Sequence, residues 1–274
     1  MSDTRANKRF RSQEWFDNPN NPGMTALYVE RYQNQAFTRE EIQSDRPIIG
    51  IAQTGSDLAP CNKIHVFLMD RIKAGIRDGG GIPIEFPVHP IQETGKRPTA
   101  ALDRNLAYLS LVEVLHGYPI DGVVLTTGCD KTTPSLLMGA ASTDIPSIVV
   151  TGGPMLNGWF RGERIGSGTH LWKFSEAVKA GEMTQDEFLE AEQSMSRSSG
   201  TCNTMGTAST MASAPPTVWQ ALIFMVSPLY STLVSRGTEM SVACFCVGSM
   251  RARIIESARY VSSPGRPSVP RSST

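Results

Sequence analysis

Between residues 47 and 153, short apolar segments alternate with amphipathic ones, and this pattern constrains the fold more than any other feature. Four apolar runs have the length of buried strands: "PIIGIAQT", "GIPIEFPV", "IDGVVLTT" and "IPSIVVTGG". The three segments between them, 62–80, 101–117 and 133–142, have helical character, with glycine or proline at the ends where helices favour them. The alternation predicts an α/β fold, a mostly parallel sheet with helices on both faces. In such sheets, ligands bind beyond the carboxyl ends of the strands.

The segments around this core suggest three regions. Residues 1–45 are predicted to form an N-terminal arm and helices, with an extended arm over 1–23 and a helix over 24–37. Residues 46–212 are predicted to be the α/β domain, and 213–274 an atypical, poorly ordered tail.

Two pairs of residues have the spacing of a helix capping box. Thr38 and Glu41 predict the start of a short helix, and Thr184 and Glu187 predict a helix start within 167–200. The latter segment is amphipathic and is interpreted as two helices joined by a turn.

Composition excludes several classes of partner. Acidic and basic residues balance at 26 each, so no global field attracts the chain to nucleic acid or to an anionic membrane. The apolar stretch 218–234 is too short and too interrupted to span a membrane. Five cysteines, an odd number, argue against a disulfide framework, and the N-terminus lacks the apolar region of a secretory signal. These features predict a cytoplasmic protein.

Three cysteines share one context. Cys61 and Cys129 each follow a predicted strand and precede a predicted helix, and Cys202 follows a glycine-containing loop and opens the helix candidate 202–214. A helix N-terminus favours thiolate, so the three could converge on one inorganic cluster. A cluster with three protein ligands leaves one iron position open to bind substrate. Three free buried cysteines, or a zinc or redox-sensing site, are the alternatives.

Asp130 and Lys131 follow Cys129 directly, and Glu93 lies in the loop after the second predicted strand. Carboxylate oxygens at 93 and 130 suit Mg²⁺. Lys131 could serve as a ligand only after losing its charge, for instance as an anionic carbamate. The alternative for each is an ordinary solvated surface charge.

The stretch 150–172 contains six glycines whose backbone amides could cradle an anion, but it matches no nucleotide-binding fingerprint. Arg161 and Arg164 within it could clamp a substrate carboxylate or be surface charges. His65 is interpreted as a packed or solvent-facing helical residue, and His89 as a loop-stabilising donor.

Several stretches together resemble the dihydroxy-acid and sugar-acid dehydratases, the group that includes 6-phosphogluconate dehydratase. They are "RPIIGIAQTGSDLAPCN", "FPVHPIQETGKRPTAALDRNLAY", "DGVVLTTGCDKTTPSLLMGAA", "GGPMLNGWFRGERIGSGT" and "GTCNTMGTASTM". The resemblance runs from about residue 24 to about residue 212. Within that group, its sequence motifs are most similar to those of the pentonate (arabinonate and xylonate) dehydratases.

The resemblance implies a role for each candidate residue. Cys61, Cys129 and Cys202 match ligands of an iron–sulfur cluster, expected to be [2Fe–2S], and Glu93, Asp130 and Lys131 match Mg²⁺ ligands. It implies a hydro-lyase that converts a 2,3-dihydroxy sugar acid, a small molecule, into a 2-keto-3-deoxy acid. A homo-oligomer is expected for the family.

The sequence departs from the family pattern after about residue 212. Family members are longer, and their second domain supplies the serine implied as catalytic base, so the base in this chain is unknown. The chain is therefore expected to be truncated, and a non-catalytic cluster-binding remnant is the alternative to an active hydro-lyase. Cys244 and Cys246, in the atypical tail, are interpreted as ordinary thiols.

Overall fold

The computed structural model describes residues 9–93, 95–96 and 100–204 of the 274-residue chain. Within these residues the main sheet has four strands, and every neighbouring pair is parallel. This confirms the predicted α/β class. The predicted tail over 213–274 and most of the helix candidate 202–214 lie outside the described ranges. The strands are β1 (Ile48–Gln53), β2 (Ile82–Pro87), β3 (Gly122–Thr127) and β4 (Ser147–Thr151).

The strand order is β2-β1-β3-β4. From β1 the chain adds β2 on one side, and it then adds β3 and β4 on the other side, so the switch point of the sheet lies between β1 and β3. Every residue of β1 and β3 is buried, as expected for central strands covered on both faces. The described residues form eight helices, and the three between the strands lie close to the predicted helical segments 62–80, 101–117 and 133–142. The eight helices are α1 (Gln13–Phe16), α2 (Pro22–Gln33), α3 (Arg39–Ile42), α4 (Ile64–Asp78), α5 (Ala100–Gly117), α6 (Thr132–Thr143), α7 (Thr169–Lys179) and α8 (Gln185–Met195).

The helices cover both faces of the sheet with separate apolar clusters. On one face, Met69, Ile72 and Ile76 of α4 pack on Ile51 of β1 and Val124 of β3. On the other face, α5 and α6 pack on the opposite side of the same strands. That second cluster consists of Ala52, Leu111, Leu115, Ile120, Val123, Leu125, Leu136, Ala140 and Ile145.

The N-terminal region packs on the edge of this core instead of extending from it. Phe16 of α1 is fully buried in a cluster that also contains Val29 of α2 and Ile48 of β1. Buried Asp121 ties the segment down, because its carboxylate accepts hydrogen bonds from Ser12 N (2.8 Å) and Ile48 N (2.7 Å). The extended arm predicted for 1–23 is therefore wrong in its described part. An apolar anchor at Phe16 overrides the local turn signals.

The glycine-rich stretch forms an antiparallel hairpin of β5 (Gly158–Phe160) and β6 (Glu163–Ile165). Arg161 and Gly162 make the turn, both with positive φ. The hairpin packs on α7 and α8 through Phe160, Ile165 and Phe174. None of the described helices is long and apolar enough to cross a membrane.

Candidate cluster and metal site

The carboxyl ends of β1 and β3 meet at the point where the strand order reverses, the usual ligand position in such sheets. Two threonines connect the carboxyl ends of β1 and β3 by hydrogen bonds. Thr54 N donates to Thr126 Oγ1 (3.0 Å), and Thr54 Oγ1 donates to the Thr126 carbonyl oxygen (2.8 Å). Both side chains are buried, so these bonds fix the loops that leave the two strands.

Cys61 and Cys129 lie on those two loops. Cys61 is the central residue of a 3₁₀ turn, Pro60–Asn62, just before α4. Cys129 is buried two residues after β3 and shortly before α6. Their predicted position between a strand end and a helix start is confirmed.

Cys202 arrives at the same edge by a different route. Thr201 N donates to the Gly153 carbonyl oxygen (2.9 Å), and Met155 N donates to the Thr201 carbonyl oxygen (3.0 Å). This parallel bridge continues the sheet beyond the end of β4 and carries Cys202 towards the other cysteines. Residues 202–204 are not helical, and the rest of the predicted helix lies outside the described residues.

The three thiols lie close together, and Cys61 interacts with each of the other two. Cys61 is the central one and donates to the sulfurs of both Cys129 and Cys202, which raises the pKa of Cys61. The same contacts lower the pKa of Cys129, and they lower the pKa of Cys202 to about 5. The arrangement of the three cysteines therefore favours the thiolate form of Cys129 and Cys202.

Backbone and hydroxyl groups also donate to these sulfurs. Cys129 Sγ accepts from Glu93 N at 3.4 Å and from the backbone N–H of Lys131. Cys202 Sγ accepts from the backbone and the side chain of Thr204. Hydrogen bonds of this kind tune sulfur ligands in metal centres.

The donor set fits an iron–sulfur cluster with one iron position left open, because cysteine thiolates that accept N–H hydrogen bonds are the usual protein ligands of such clusters. In the described part of the chain, no three His, Cys, Asp or Glu side chains have the arrangement of a formed metal-ion site. Cys61 interacts with both other thiols, and in a cluster iron and inorganic sulfide lie between the cysteine sulfurs.

Glu93, Asp130 and Lys131 meet beside the thiols. Lys131 Nζ lies 2.7 Å from Glu93 Oε2 and 3.2 Å from Asp130 Oδ2. Asp130 Oδ1 is 3.4 Å from Cys129 Sγ, so the carboxylates and the sulfurs share one site. Glu93 is the most solvent-exposed of the three, with 55% of its side chain accessible.

The lysine is a cation in this arrangement. Its hydrogen bond to Glu93, supported by Asp130, raises the pKa of Lys131 despite partial burial. A carbamate forms only from the neutral amine, so Lys131 would have to give up both pairs before it could become an anionic ligand. The Lys131 ammonium lies between the two carboxylates.

The remaining candidates lie apart from this chemistry. Arg161 pairs with Glu187 at the hairpin turn, and Arg164 is exposed on β6. His89 Nε2 lies 3.8 Å from Asp103 Oδ1. His65 is fully buried, and its Nε2 lies 2.9 Å from the Thr127 carbonyl oxygen.

Asn62 is a site residue that the sequence reasoning did not single out. It follows Cys61 directly, is completely buried, and contacts both the Glu93 and the Cys129 loops. The only sequence signal was an amide beside a candidate ligand, which is too common to distinguish a role.

Comparisons with known proteins identify the family of the chain. Residues 46–227 match the family model described as dihydroxy-acid/6-phosphogluconate dehydratase, N-terminal. The matched range thus extends into the segment after residue 212.

Among curated relatives, a D-xylonate dehydratase from Caulobacter vibrioides is 62% identical over 207 residues, covering 76% of this chain and 35% of the relative. An L-arabinonate dehydratase from Rhizobium leguminosarum bv. trifolii is 59% identical over 197 residues, covering 72% and 33%. A dihydroxy-acid dehydratase from Caldanaerobacter subterraneus subsp. tengcongensis is 36% identical over 183 residues, covering 64% and 32%. The chain spans about a third of the length of each of these relatives.

Proposed function

Because the chain belongs to the dihydroxy-acid/6-phosphogluconate dehydratase family, we propose that it forms the cluster- and metal-binding part of a hydro-lyase. The proposed reaction removes water from a 2,3-dihydroxy sugar acid, a small molecule in the cytoplasm, and gives a 2-keto-3-deoxy acid. The names of the xylonate and arabinonate dehydratases support a pentonate as substrate. The observation that carries the proposal is the contact of Cys61 with both Cys129 and Cys202, brought from three separate loops.

In this proposal Cys61, Cys129 and Cys202 hold an iron–sulfur cluster, of the [2Fe–2S] type by family resemblance. Glu93 and Asp130 hold Mg²⁺, together with a carbamylated Lys131. When bound, the two metal groups would act as Lewis acids that polarise the leaving C3 hydroxyl and acidify the C2 proton.

The chain's own residues prepare this site in three ways. The N–H groups of Glu93 and Lys131 stabilise negative charge on the Cys129 sulfur. The bonds between Thr54 and Thr126 hold the loops after β1 and β3 in place. The Lys131 ammonium pairs with both Glu93 and Asp130 and holds the two carboxylates together. We assign no catalytic base to the described residues.

The test begins with protein purified without oxygen. We expect an iron–sulfur absorption spectrum with iron and acid-labile sulfide, and we assay formation of a 2-keto-3-deoxy acid from D-xylonate or L-arabinonate in parallel. Cys129→Ser is expected to lose the cluster. Cys244→Ser is the matched control, since that cysteine is predicted to be an ordinary thiol, and it should keep the cluster.

Each other outcome points to a different protein. Zinc without sulfide would contradict the cluster and favour a zinc or redox-sensing site. A bound cluster without turnover would contradict the catalytic proposal and favour a non-catalytic, cluster-binding protein.

A further inference from the structure

The buried side-chain amide of Asn62 lies between the segments that carry the proposed ligands. Asn62 ends the 3₁₀ turn that contains Cys61, and none of its surface is exposed. Its backbone N–H donates to the Ala59 carbonyl oxygen (2.8 Å), which fixes the residue within the turn. The side chain therefore points its polar atoms into protein and not into water, where an amide is stable only if it is hydrogen-bonded.

The two ends of this amide contact two different loops. Nδ2 lies 3.5 Å from the carbonyl oxygen of Ile91, a buried residue two positions before Glu93. Oδ1 lies 3.4 Å from Thr132 Oγ1, three positions after Cys129. Both distances are longer than the usual hydrogen-bond range, so each contact is weak. Together they make Asn62 a link between the Cys61, Glu93 and Cys129 loops.

Thr132 extends the link to the Cys129 backbone. Its hydroxyl accepts from Cys129 N (3.1 Å) and lies 3.1 Å from the Cys129 carbonyl oxygen. Thr132 is also fully buried. A side chain at Asn62 and a hydroxyl at Thr132 thus connect the backbone positions of two of the proposed cluster ligands.

We propose that Asn62 is a positioning residue that sets the spacing between the cluster ligands and the Glu93 loop, and so couples the two ion sites. The inference rests on the proposed function. Asn62 lies in the Cys61 turn and contacts the loop before Glu93 and the helix start after Cys129, so its side chain can hold the three segments at a fixed spacing. Partners outside the ligand shell typically contribute about 10- to 100-fold to metal affinity.

The test compares Asn62→Ala and Thr132→Val with the wild-type 274-residue chain. After anaerobic reconstitution with iron and sulfide, we follow the rate at which iron passes to a chelator. We expect this rate to rise at least about tenfold in both variants, the size typical of outer-shell partners. Thr132→Ser keeps the hydroxyl and should restore slow release.

Two controls separate positioning from general destabilisation. Thr143→Val removes a buried hydroxyl at the far end of α6, where it bonds only to carbonyl oxygens of the same helix. Ser12→Ala removes a buried bond to Asp121, remote in the fold from the ligand loops. Both should release iron at the wild-type rate, even if their melting temperatures fall.

A second measurement does not depend on the cluster. The reduced, cluster-free chain is titrated with Cd²⁺, and the cadmium–thiolate absorption in the ultraviolet gives the affinity of the gathered thiols. Asn62→Ala should bind Cd²⁺ at least about tenfold more weakly than wild type.

The outcomes are distinct. If Asn62→Ala releases iron and binds Cd²⁺ like wild type while melting lower, as expected for Ser12→Ala, the residue is merely structural and the inference is overturned. If wild type takes up no cluster but Asn62→Ala weakens Cd²⁺ binding, the proposed function fails and the positioning role stands. If wild type binds neither, both are overturned.

Discussion

At Gly128 the Cys61 and Cys129 loops approach so closely that a methyl group does not fit. A Cβ there would lie 2.6 Å from Asn62 Oδ1 and 2.6 Å from the Cys61 carbonyl oxygen. One of these atoms belongs to backbone, which cannot move aside without shifting the ligand loop. The requirement for glycine comes from this close approach, and Gly128 does not have a positive φ.

We expect Gly128→Ala to lower the free energy of unfolding by about 1–3 kcal/mol, the usual cost of forcing atoms into a packed region. Urea denaturation monitored by circular dichroism measures the change. Gly23→Ala is the matched control, because a Cβ at Gly23 would meet nothing within 4 Å. If the two variants unfold alike, the loops are not as tightly packed as the structure has them.

Lys131 is held in place by its ion pairs with Glu93 and Asp130. Substitution by another cation can separate this pairing from the ability of the amine to form a carbamate. We expect Lys131→Arg to keep the pairs with Glu93 and Asp130, since guanidinium is also a cation, but to be unable to form the carbamate. Binding of Mn²⁺, a spectroscopic substitute for Mg²⁺, should weaken at least about tenfold while iron content is unchanged.

Mn²⁺ affinity is measured from the electron paramagnetic resonance of the free ion. Lys63→Arg provides the control, because Lys63 forms a surface pair with Asp57 on the neighbouring loop. Unaltered Mn²⁺ binding by Lys131→Arg would show that Lys131 is not a ligand.

At the scale of elements, a single buried histidine fastens α4 to the end of β3. His65 has no exposed surface, its Nε2 lies 2.9 Å from the Thr127 carbonyl oxygen, and its Nδ1 has no hydrogen-bond partner among the described residues. Burial lowers the pKa of His65 below its ordinary value of 6.5. The neutral imidazole therefore donates from Nε2.

The lowered pKa makes this attachment sensitive to acid. The unfolded chain binds the proton more readily than the folded one, so the stability contributed by neutral His65 is full above pH 6.5. It is lost as the pH falls from there through the folded-state pKa. We expect the free energy of unfolding to decrease over this interval, and His65→Gln to reduce the slope.

Chemical denaturation of the cluster-free chain at a series of pH values measures that slope. His116→Gln, at an exposed histidine, should retain the wild-type slope. A wild-type slope in His65→Gln would mean that other groups govern acid sensitivity.

Local sequence signals predicted most elements correctly. Thr38 Oγ1 accepts from Glu41 N, and Thr184 and Glu187 form both halves of a capping box, so both predicted helix starts are confirmed. The hairpin β5–β6 was missed because its glycines suggested an anion loop. The hairpin turns at Arg161–Gly162, where both residues have positive φ. Arginine rarely adopts positive φ, so this pair is not a typical turn sequence for a two-residue hairpin.

At the scale of the whole molecule, the ligand site and the apolar core are separate. The apolar clusters on both faces of the sheet contain none of the three cysteines. We therefore expect the fold to draw its stability from helix–sheet packing and not from a metal group, unlike small domains that fold only around a metal.

We expect removal of the cluster by a chelator under reducing conditions to leave the far-ultraviolet circular dichroism unchanged. Cys61 and Cys202, which are partly exposed, should then react with a thiol reagent, and buried Cys129 should react more slowly. Thiol titration before and after treatment, without denaturant, provides the measurement. Loss of helical signal together with the iron would show that the group holds the domain together.

The sequence by itself determined the elements and the ligand candidates, because hydrophobic periodicity, capping spacings and strand-end loops are local properties of the chain. It predicted that Cys61, Cys129 and Cys202 share a context, but context does not fix distance. Their contact depends on the order β2-β1-β3-β4 and on the bridge that brings Thr201 to Pro154, both of which arise from packing between remote segments. Only the tertiary structure placed Lys131 between two carboxylates and buried Asn62 beneath three loops, because burial and pairing are decided by residues far apart in the chain.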